Sequence, residues 1–517
     1  MTHVGFTSCC FGSAQGEFLS PTAVLVLVGL CLAGVIVLYF QNNPLKHDQW
    51  FLMRRFINWF PLGMTYAFLY MGRFNLNVAK NALGELMSVK DLGTIFAVGT
   101  IVYGLSFLIN GPLVDKIGGK RGIIIAALGA SLANIALGIL TFQVVTHQMK
   151  IRLVFAFSVI YAVNMYFQSY GAVSIIKVKA YWFHVRERGV FSAIFGTLIS
   201  FGVYFAFDWG QAIVNMGAAN PKGQLSWLHR LIQHIFALPG SSVDATWAVF
   251  FAPAAILIVW AALDFWLIKD TPEEADFAHF DTYDASSGQM HIELTTMDLL
   301  KRVFASRLML LIAAIGLSIG VLRNGILQWG FVFVKEVHQP AATFFLKNWG
   351  LLMCIFGIIG GFTGIISDKF FQSRRGPPVA MCCGIMFILT SLMAVFLNSS
   401  PLAVGIACVL TTAAAIGVHA LMSGTAAADF GGRKATATCS GIVDGFVYLG
   451  GGIQSFCIGH LVGDAANRNW LWWPMFMMPF AVLGGVLALK IWHELPAATR
   501  KYIAEVEEKA EIELVPE

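Results

Sequence analysis

Gly111-Pro-Leu-Val-Asp115-Lys-Ile-Gly118-Gly-Lys120-Arg121 lies between two apolar runs, and a second version of it recurs later in the chain. That copy is Gly364-Ile-Ile-Ser-Asp368-Lys369 followed by Arg374-Arg375-Gly376, and its aspartate comes 253 residues after the first. Glycine allows a tight turn and close helix packing. An Asp at a helix end pairs with nearby cations and can latch one helical bundle against another. One such turn alone would be an ordinary solvated loop. Two copies, each between the second and third helices of a six-helix half, mark an internal duplication.

The apolar runs set the class of protein. Hydrophobic residues make up 57% of the chain, charged residues 12%, and the mean hydropathy is +0.71. A soluble domain carries roughly 25% charged residues, so a water-facing surface of ordinary make-up is excluded. Spanning the hydrocarbon core takes about 20 apolar residues, and thirteen stretches between residues 22 and 492 meet that need. Runs such as Leu308–Val321 and Gly122–Leu140 are continuous, not alternating. They read as helices, which pair all their backbone groups internally. The expected fold is an all-α polytopic membrane protein with two six-helix bundles plus one extra N-terminal helix.

Placing the loop before Met53–Phe60 inside puts 23 of the 34 Lys and Arg on inner loops and the tail, and eight on outer loops. The positive-inside rule then predicts a cytoplasmic C-terminus. The leading segment, 22–40, has no Lys or Arg before it and no small-x-small site after it, so it reads as an uncleaved helix with its N-terminus outside. The expected layout is 1–45 for this helix, 46–269 for the first bundle, 270–306 for an inner linker, 307–495 for the second bundle and 496–517 for a tail. A long outer loop at about Met216–Asp244 carries Trp227, His229 and His234. These histidines are five apart, which is not the spacing of a helical metal pair, and the loop reads as an interfacial segment. The nine cysteines show no metal or disulfide spacing. No cofactor is expected, no phosphate-binding P-loop is present, and nothing resembles a nucleic-acid or enzymatic constellation.

Ionisable groups inside membrane helices are costly and are functional candidates by default. Arg73 lies mid-helix in Tyr66-Ala-Phe-Leu-Tyr70-Met-Gly-Arg73-Phe-Asn75-Leu-Asn77. Arg323 lies mid-helix in Ile319-Gly-Val-Leu-Arg323-Asn324-Gly325-Ile-Leu-Gln328-Trp329. Asp115 follows Arg73 by 42 residues and Asp368 follows Arg323 by 45, so the two arginines hold near-equivalent places in the two halves. Such a pair is expected to face the central cavity at the bilayer midplane. Two guanidiniums repel one another, but together they clamp a divalent oxyanion, each fork donating two hydrogen bonds.

Both turns resemble the loop of the major facilitator superfamily. Tyr70-Met-Gly-Arg73-x-Asn75 resembles the first helix of its organophosphate:phosphate antiporters. Leu322-Arg323-Asn-Gly-Ile-Leu-Gln-Trp329 with Val334-Lys335-Glu336-Val337 is similar to their seventh. Asp91-Leu-Gly93, Tyr103-Gly-Leu-Ser106, Glu187-Arg188-Gly189, Asp270-Thr-Pro272 and Tyr448-Leu-Gly-Gly451 fit as well, so the resemblance runs from about residue 54 to 495. It implies a secondary transporter, not an enzyme, that exchanges a phosphorylated organic anion for inorganic phosphate by alternating access. The expected setting is a monomer in the lipid bilayer of a bacterial inner (plasma) membrane. Arg73 and Arg323 would bind the phosphoryl group, with Asp115, Arg121, Asp368 and Arg374 gating the inner side.

Departures from the pattern reshape the rest of the site. Phe107 stands where these antiporters carry a Lys, and Ile199 aligns with the histidine of the glycerol-phosphate members. Lys80, two turns after Arg73 on the same face, either replaces the missing charge or snorkels to the outer interface. Asp444 is a mid-helix acid that neutralises Arg323 or Lys80, carries a proton, or recognises a substrate hydroxyl or amine. Tyr66, Tyr70, Asn77, Gln328, Trp329 and Tyr448 are expected to line the cavity, and His419 either aids coupling or sits satisfied by a carbonyl. Two other functions keep the arginines: a transporter-like sugar-phosphate sensor signalling to a membrane kinase, and a proton-coupled carrier of a carboxylate using Asp444.

Overall fold

In hydrocarbon a backbone amide finds no water, so each apolar run closes its own hydrogen bonds as a helix. The computed structural model describes residues 21–494 apart from 42, 147–152, 185–186, 217–245, 280–281, 283–300, 302–303, 338–339 and 372–373, and apart from the side chains of 21–22, 25, 188–190, 192–193, 340–341, 368 and 424–437. The described residues form helices without a strand. The outer loop with its two histidines, most of the linker and the C-terminal tail lie outside them.

The leading helix is α1 (Pro21–Gln41). The first half follows as α2 (Gln49–Leu83), α3 (Val89–Ile117), α4 (Gly119–Val145), α5 (Leu153–Trp182), α6 (Arg188–Tyr204) and α7 (Ala248–Leu267). The second comprises α8 (Arg307–Gly325), α9 (Pro340–Gly361) with its continuation α10 (Thr363–Phe371), α11 (Gly376–Phe396), α12 (Pro401–His419), α13 (Ala427–Val462) and α14 (Trp472–Lys490). Every expected segment coincides with a helix. The start of α2 is earlier than the apolar pattern indicated, because Asp48 caps Phe51 N at 2.6 Å.

Among the described residues eleven spans are long and apolar enough to cross a membrane, and the chain is a multi-pass membrane protein. Two of the thirteen expected segments fall outside that number. The helix α2 is long but polar, carrying Arg54, Arg55, Arg73 and Lys80. In α1 the apolar stretch with described side chains covers Val26–Gln41.

Two seams join the halves. Along the first, α3 crosses α13 with no side chain between them: a Cβ on Gly104 would lie 2.7 Å from Gly445 O, and one on Gly445 would lie 2.8 Å from Gly104 O. Along the second, α6 packs against α9, and Gly196 faces Gly361.

The α3–α4 turn marks the inner face under the positive-inside reading. Gly118 turns there with φ of 90°, and a Cβ would strike Asp270. Asp270, from the Asp-Thr-Pro motif after α7, accepts a hydrogen bond from Lys120 N at 2.7 Å, so it caps α4 from 150 residues away. The Glu187 carboxylate takes two 2.9 Å hydrogen bonds from Arg55, and Arg55 Nε donates to the Tyr39 hydroxyl of α1 at 2.9 Å. This pair bolts α1, α2 and the α5–α6 turn together. Burial alone would raise the Glu187 carboxyl, but its bonds from His47 and Arg55 prevail and hold it at about 2.

Candidate functional site

A cavity of about 100 Å³ lies between the halves, bounded by α2, α5, α6, α8, α12 and α13. A water needs roughly 10–15 Å³ on the same measure, so the space admits a small solute. It extends from Arg323 towards Lys179 and Phe191 at the inner ends of α5 and α6. Outward of the arginines the halves are closed: Asn81 Nδ2 donates to Phe331 O at 3.3 Å, and the Phe207 and Phe331 rings are 4.8 Å apart.

Arg73 is buried beside the cavity and is not part of its lining, contrary to the expectation that both arginines face it. Its Nε donates to Gln168 Oε1 at 3.0 Å, Nη1 to the Tyr448 hydroxyl at 2.8 Å and Nη2 to the Tyr103 hydroxyl at 2.8 Å. The guanidinium carbon lies 4.6 Å from the Tyr70 ring centre and 4.4 Å from that of Tyr103. A ladder of amides holds Gln168: its Nε2 donates to Asn164 Oδ1 at 3.1 Å, Asn134 Nδ2 donates to the same oxygen at 3.2 Å, and Asn75 Nδ2 donates to Asn134 Oδ1 at 2.8 Å. Asn164 Nδ2 in turn donates to Gly72 O at 3.0 Å, which returns the ladder to the backbone beside Arg73.

Arg323 comes from the opposite half and forms part of the cavity wall. Its Nη2 donates to the Tyr70 hydroxyl at 2.8 Å, while Nε is buried without a hydrogen-bond partner among the described residues. Beyond it α8 widens into a π-turn, Ile326–Gly330, and Trp473 Nε1 donates to Gly325 O at 3.0 Å beside that turn. Arg73 and Arg323 thus meet on one tyrosine. Neither makes an ion pair among the described residues.

Asp444 lines the same cavity, but neither Arg323 nor Lys80 is its hydrogen-bond partner. Ser423 Oγ donates to Asp444 Oδ1 at 2.5 Å, and His419 Nε2 stands 3.8 Å from the same oxygen. His419 Nδ1 is buried without a partner among the described residues, so no carbonyl satisfies that nitrogen. Tyr66 is in the wall beside Tyr70, their rings edge to face at 5.4 Å, and Tyr448 lies by both arginines.

Tyr70 and Tyr448, also expected in the lining, are buried with Arg73 outside the cavity wall, and Gln328, Trp329, Asn77 and Lys80 lie farther off. Gln328 Oε1 accepts from Ser455 Oγ at 2.6 Å and Gln454 Nε2 at 3.1 Å, and Trp329 Nε1 donates to Gln454 Oε1 at 2.9 Å. Both side chains fill the closed outer seam because α3 and α13 approach so closely there. Asn77 is 0% exposed on the outer side of Arg73, its amide atoms without hydrogen-bond partners among the described residues. Lys80 is at the outer end of α2 with Glu336 and Asp91 as its nearby acids, cut off from the cavity by the closed layer. Phe107 packs edge to face with Tyr103 at 4.7 Å and is fully buried, whereas Ile199 is in the cavity wall.

The predicted gating residues divide. Asp115 Oδ1 takes a 3.0 Å bond from Lys177, and Oδ2 accepts from Thr438 N at 3.0 Å and Thr438 Oγ1 at 2.8 Å, which ties α3 to the other half. Arg121, expected to share this role, is exposed. The side chain of Asp368 is outside the described residues; beside it Ser367 Oγ donates to Arg374 O at 3.0 Å and accepts from Arg375 Nη1 at 3.0 Å. Arg374 Nε has no hydrogen-bond partner among the described residues.

Sequence reading assigned no site role to Gln168, Ser423 or Lys179, and Tyr103 entered only as part of a matching motif. Asn164 and Gln168, polar at i and i+4 in an otherwise apolar helix, were a legible signal. Lys179 counted as a loop charge, and only the inward reach of the cavity brings it into the wall.

The sequence pattern of the Major Facilitator Superfamily matches residues 62–455. The glycerol-3-phosphate transporter of Bacillus subtilis (strain 168) is 27% identical, over 78% of this chain and 85% of the relative. The membrane sensor protein UhpC of Salmonella typhimurium is 23% identical, over 87% of this chain and 94% of the relative. A probable hexose phosphate transport protein of Chlamydia muridarum is 22% identical over 88% and 94%. These relatives bear out the resemblance to the organophosphate:phosphate antiporters. Among solved structures, the transporter FucP in its outward conformation superposes with a TM-score of 0.55 at 14% identity, covering 84% of this chain and 99% of that one, and shows the shared fold.

Proposed function

We propose, from the premise that the chain belongs to the Major Facilitator Superfamily, that it carries a phosphorylated organic anion, such as a sugar phosphate, in exchange for inorganic phosphate across a bacterial inner membrane. The observation that carries this reading is the convergence of Arg73 and Arg323 on Tyr70 with no acid paired to either among the described residues. Two buried cations of like sign are costly together. A phosphoryl dianion satisfies both, since each planar fork offers paired donors. The hydroxyls of Tyr70, Tyr103 and Tyr448 accept the N–H groups for which a phosphoryl oxygen competes.

Asp444 and Ser423 supply the other half of recognition. A carboxylate in the wall accepts hydrogen bonds from hydroxyl groups and repels a second anionic group, which supports a polyhydroxylated monophosphate. The two halves, 46–269 and 307–495, rock about the bound anion, with the C-terminus on the cytoplasmic side. The relative named a membrane sensor supports a second reading, in which binding is retained without flux.

The test is exchange of labelled phosphate by the purified chain in phosphate-loaded liposomes, with phosphorylated sugars as competitors. Arg73→Lys and Arg323→Lys are each expected to cut exchange by roughly 100-fold, because a point charge does not reproduce the bidentate fork. Full exchange by either variant sinks the clamp. Saturable binding of a sugar phosphate with no flux moves the chain to the sensor reading.

A further inference from the structure

The carboxylate of Asp208 makes a contact that transport of any one anion does not call for. Asp208 lies in a five-residue π-turn, Phe205–Trp209, at the outer end of α6. Its Oδ1 accepts a 2.8 Å hydrogen bond from Gly350 N and its Oδ2 a 3.0 Å bond from Leu351 N. Both amides belong to α9, in the opposite half. They are free because α9 breaks at Asn348, where φ is −116° and ψ is 15°, and a helix that restarts leaves its first N–H groups without partners. Asn348 Nδ2 donates to Phe344 O at 2.8 Å, a side-chain bond across the break. The restarted helix therefore presents two amides and the positive end of its dipole, and a carboxylate is the group that suits both.

The fit is tight. A Cβ on Gly350 would lie 2.6 Å from Asp208 Oδ1 and 3.1 Å from Tyr204 Cα, so only glycine lets the oxygen reach the amide. No Lys or Arg pairs with Asp208 among the described residues; its satisfaction comes from across the seam. Both bonds join parts that must separate when the outer face opens. On the inner face Asp115 does the corresponding thing, accepting from Thr438 N of α13.

We infer that Asp208 is the positioning residue that holds the outer face of the carrier closed, by capping the broken helix α9 across the α6–α9 seam. This holds whichever anion is carried, because it needs only two halves that open alternately.

Cysteine placed at Asn77 tests it, since that buried position lies one turn outward of Arg73 on the same face of α2. Its reaction with a membrane-impermeant maleimide is followed in liposomes, with the same Asp208 variants lacking the Asn77→Cys change as background. With Asp208 intact, labelling is expected to be slow. Asp208→Ala should raise the rate roughly tenfold or more by shifting the population outward, and Asp208→Asn, which keeps one acceptor oxygen, should fall between. Gly350→Ala, which pushes the carboxylate away from the partner side, should act in the same direction. Monodispersity and melting temperature are measured on each variant, and where Asp208→Ala does not yield folded protein the other two carry the test. Labelling that stays at the unsubstituted rate, with or without a drop in melting temperature, overturns the inference.

Discussion

Arg323 of α8 donates a 2.8 Å hydrogen bond to the hydroxyl of Tyr70 on α2, and the same tyrosine ring lies 4.6 Å from the guanidinium carbon of Arg73. One side chain therefore mediates between the two cations of the site and between the two halves of the protein. Its hydroxyl orients Arg323 while its ring face softens the charge of Arg73.

Tyr70→Phe keeps the ring and removes the acceptor. Hydrogen bonds to charged groups contribute about 1.5–3 kcal/mol, so the half-saturating phosphate concentration for exchange is expected to rise by roughly tenfold or more. An unchanged value would place the arginine under other control.

Gln168→Leu strikes the ladder behind Arg73. It leaves Arg73 Nε without its acceptor and Asn164 Oδ1 without one of its two donors. Stranding buried polar groups costs about 1–3 kcal/mol. A lowered melting temperature is expected together with weaker protection by added phosphate, whereas a purely packing role would lower the first and spare the second.

Phe107→Lys restores the residue type that the antiporters carry at that place, yet it should not restore a glycerol-phosphate site. Phe107 is fully buried against Tyr103 and Tyr448, and a lysine there would bury a third cation beside Arg73. The expected result is poor folding or a lowered melting temperature, with no gain in competition by glycerol phosphate. Improved competition would show that the pocket tolerates the charge.

Glu187 predicts a pH dependence. Its folded value, about 2, is below the ordinary 4.5, so its contribution is fully present above pH 4.5 and is lost as pH falls towards 2. The shift corresponds to about 3 kcal/mol. Melting curves of the unsubstituted chain and Glu187→Gln should therefore differ most above pH 4.5 and draw together as pH falls towards 2; a constant gap would mean that the Arg55 pair is not the source.

Much of this protein was already legible in its residues. Apolar length alone dictates helices, since unpaired amides are intolerable in hydrocarbon. The duplicated turn at Asp115 and Asp368 separates two halves, and a charge as costly as Arg73 or Arg323 marks itself. Periodicity does not reveal which polar side chains on those helices look inward to a shared space and which fill a seam. Gln328 and Trp329 read like lining residues but close the outer seam with Gln454 and Ser455, because the glycine faces of α3 and α13 let the helices touch. Lys80 shares a helix face with Arg73 yet lies outside the closed layer. The pairing of Asp115 with Thr438 and of Asp208 with Gly350 joins residues 323 and 142 positions apart. Such contacts are set by how two bundles meet, and no local pattern in either bundle encodes that meeting. The sequence by itself determined the helices, the duplication and the two arginines. Tertiary packing decided that these cations share Tyr70, that Asp444 answers to Ser423 and His419, and that Asp115 and Asp208 accept backbone amides from across the two seams.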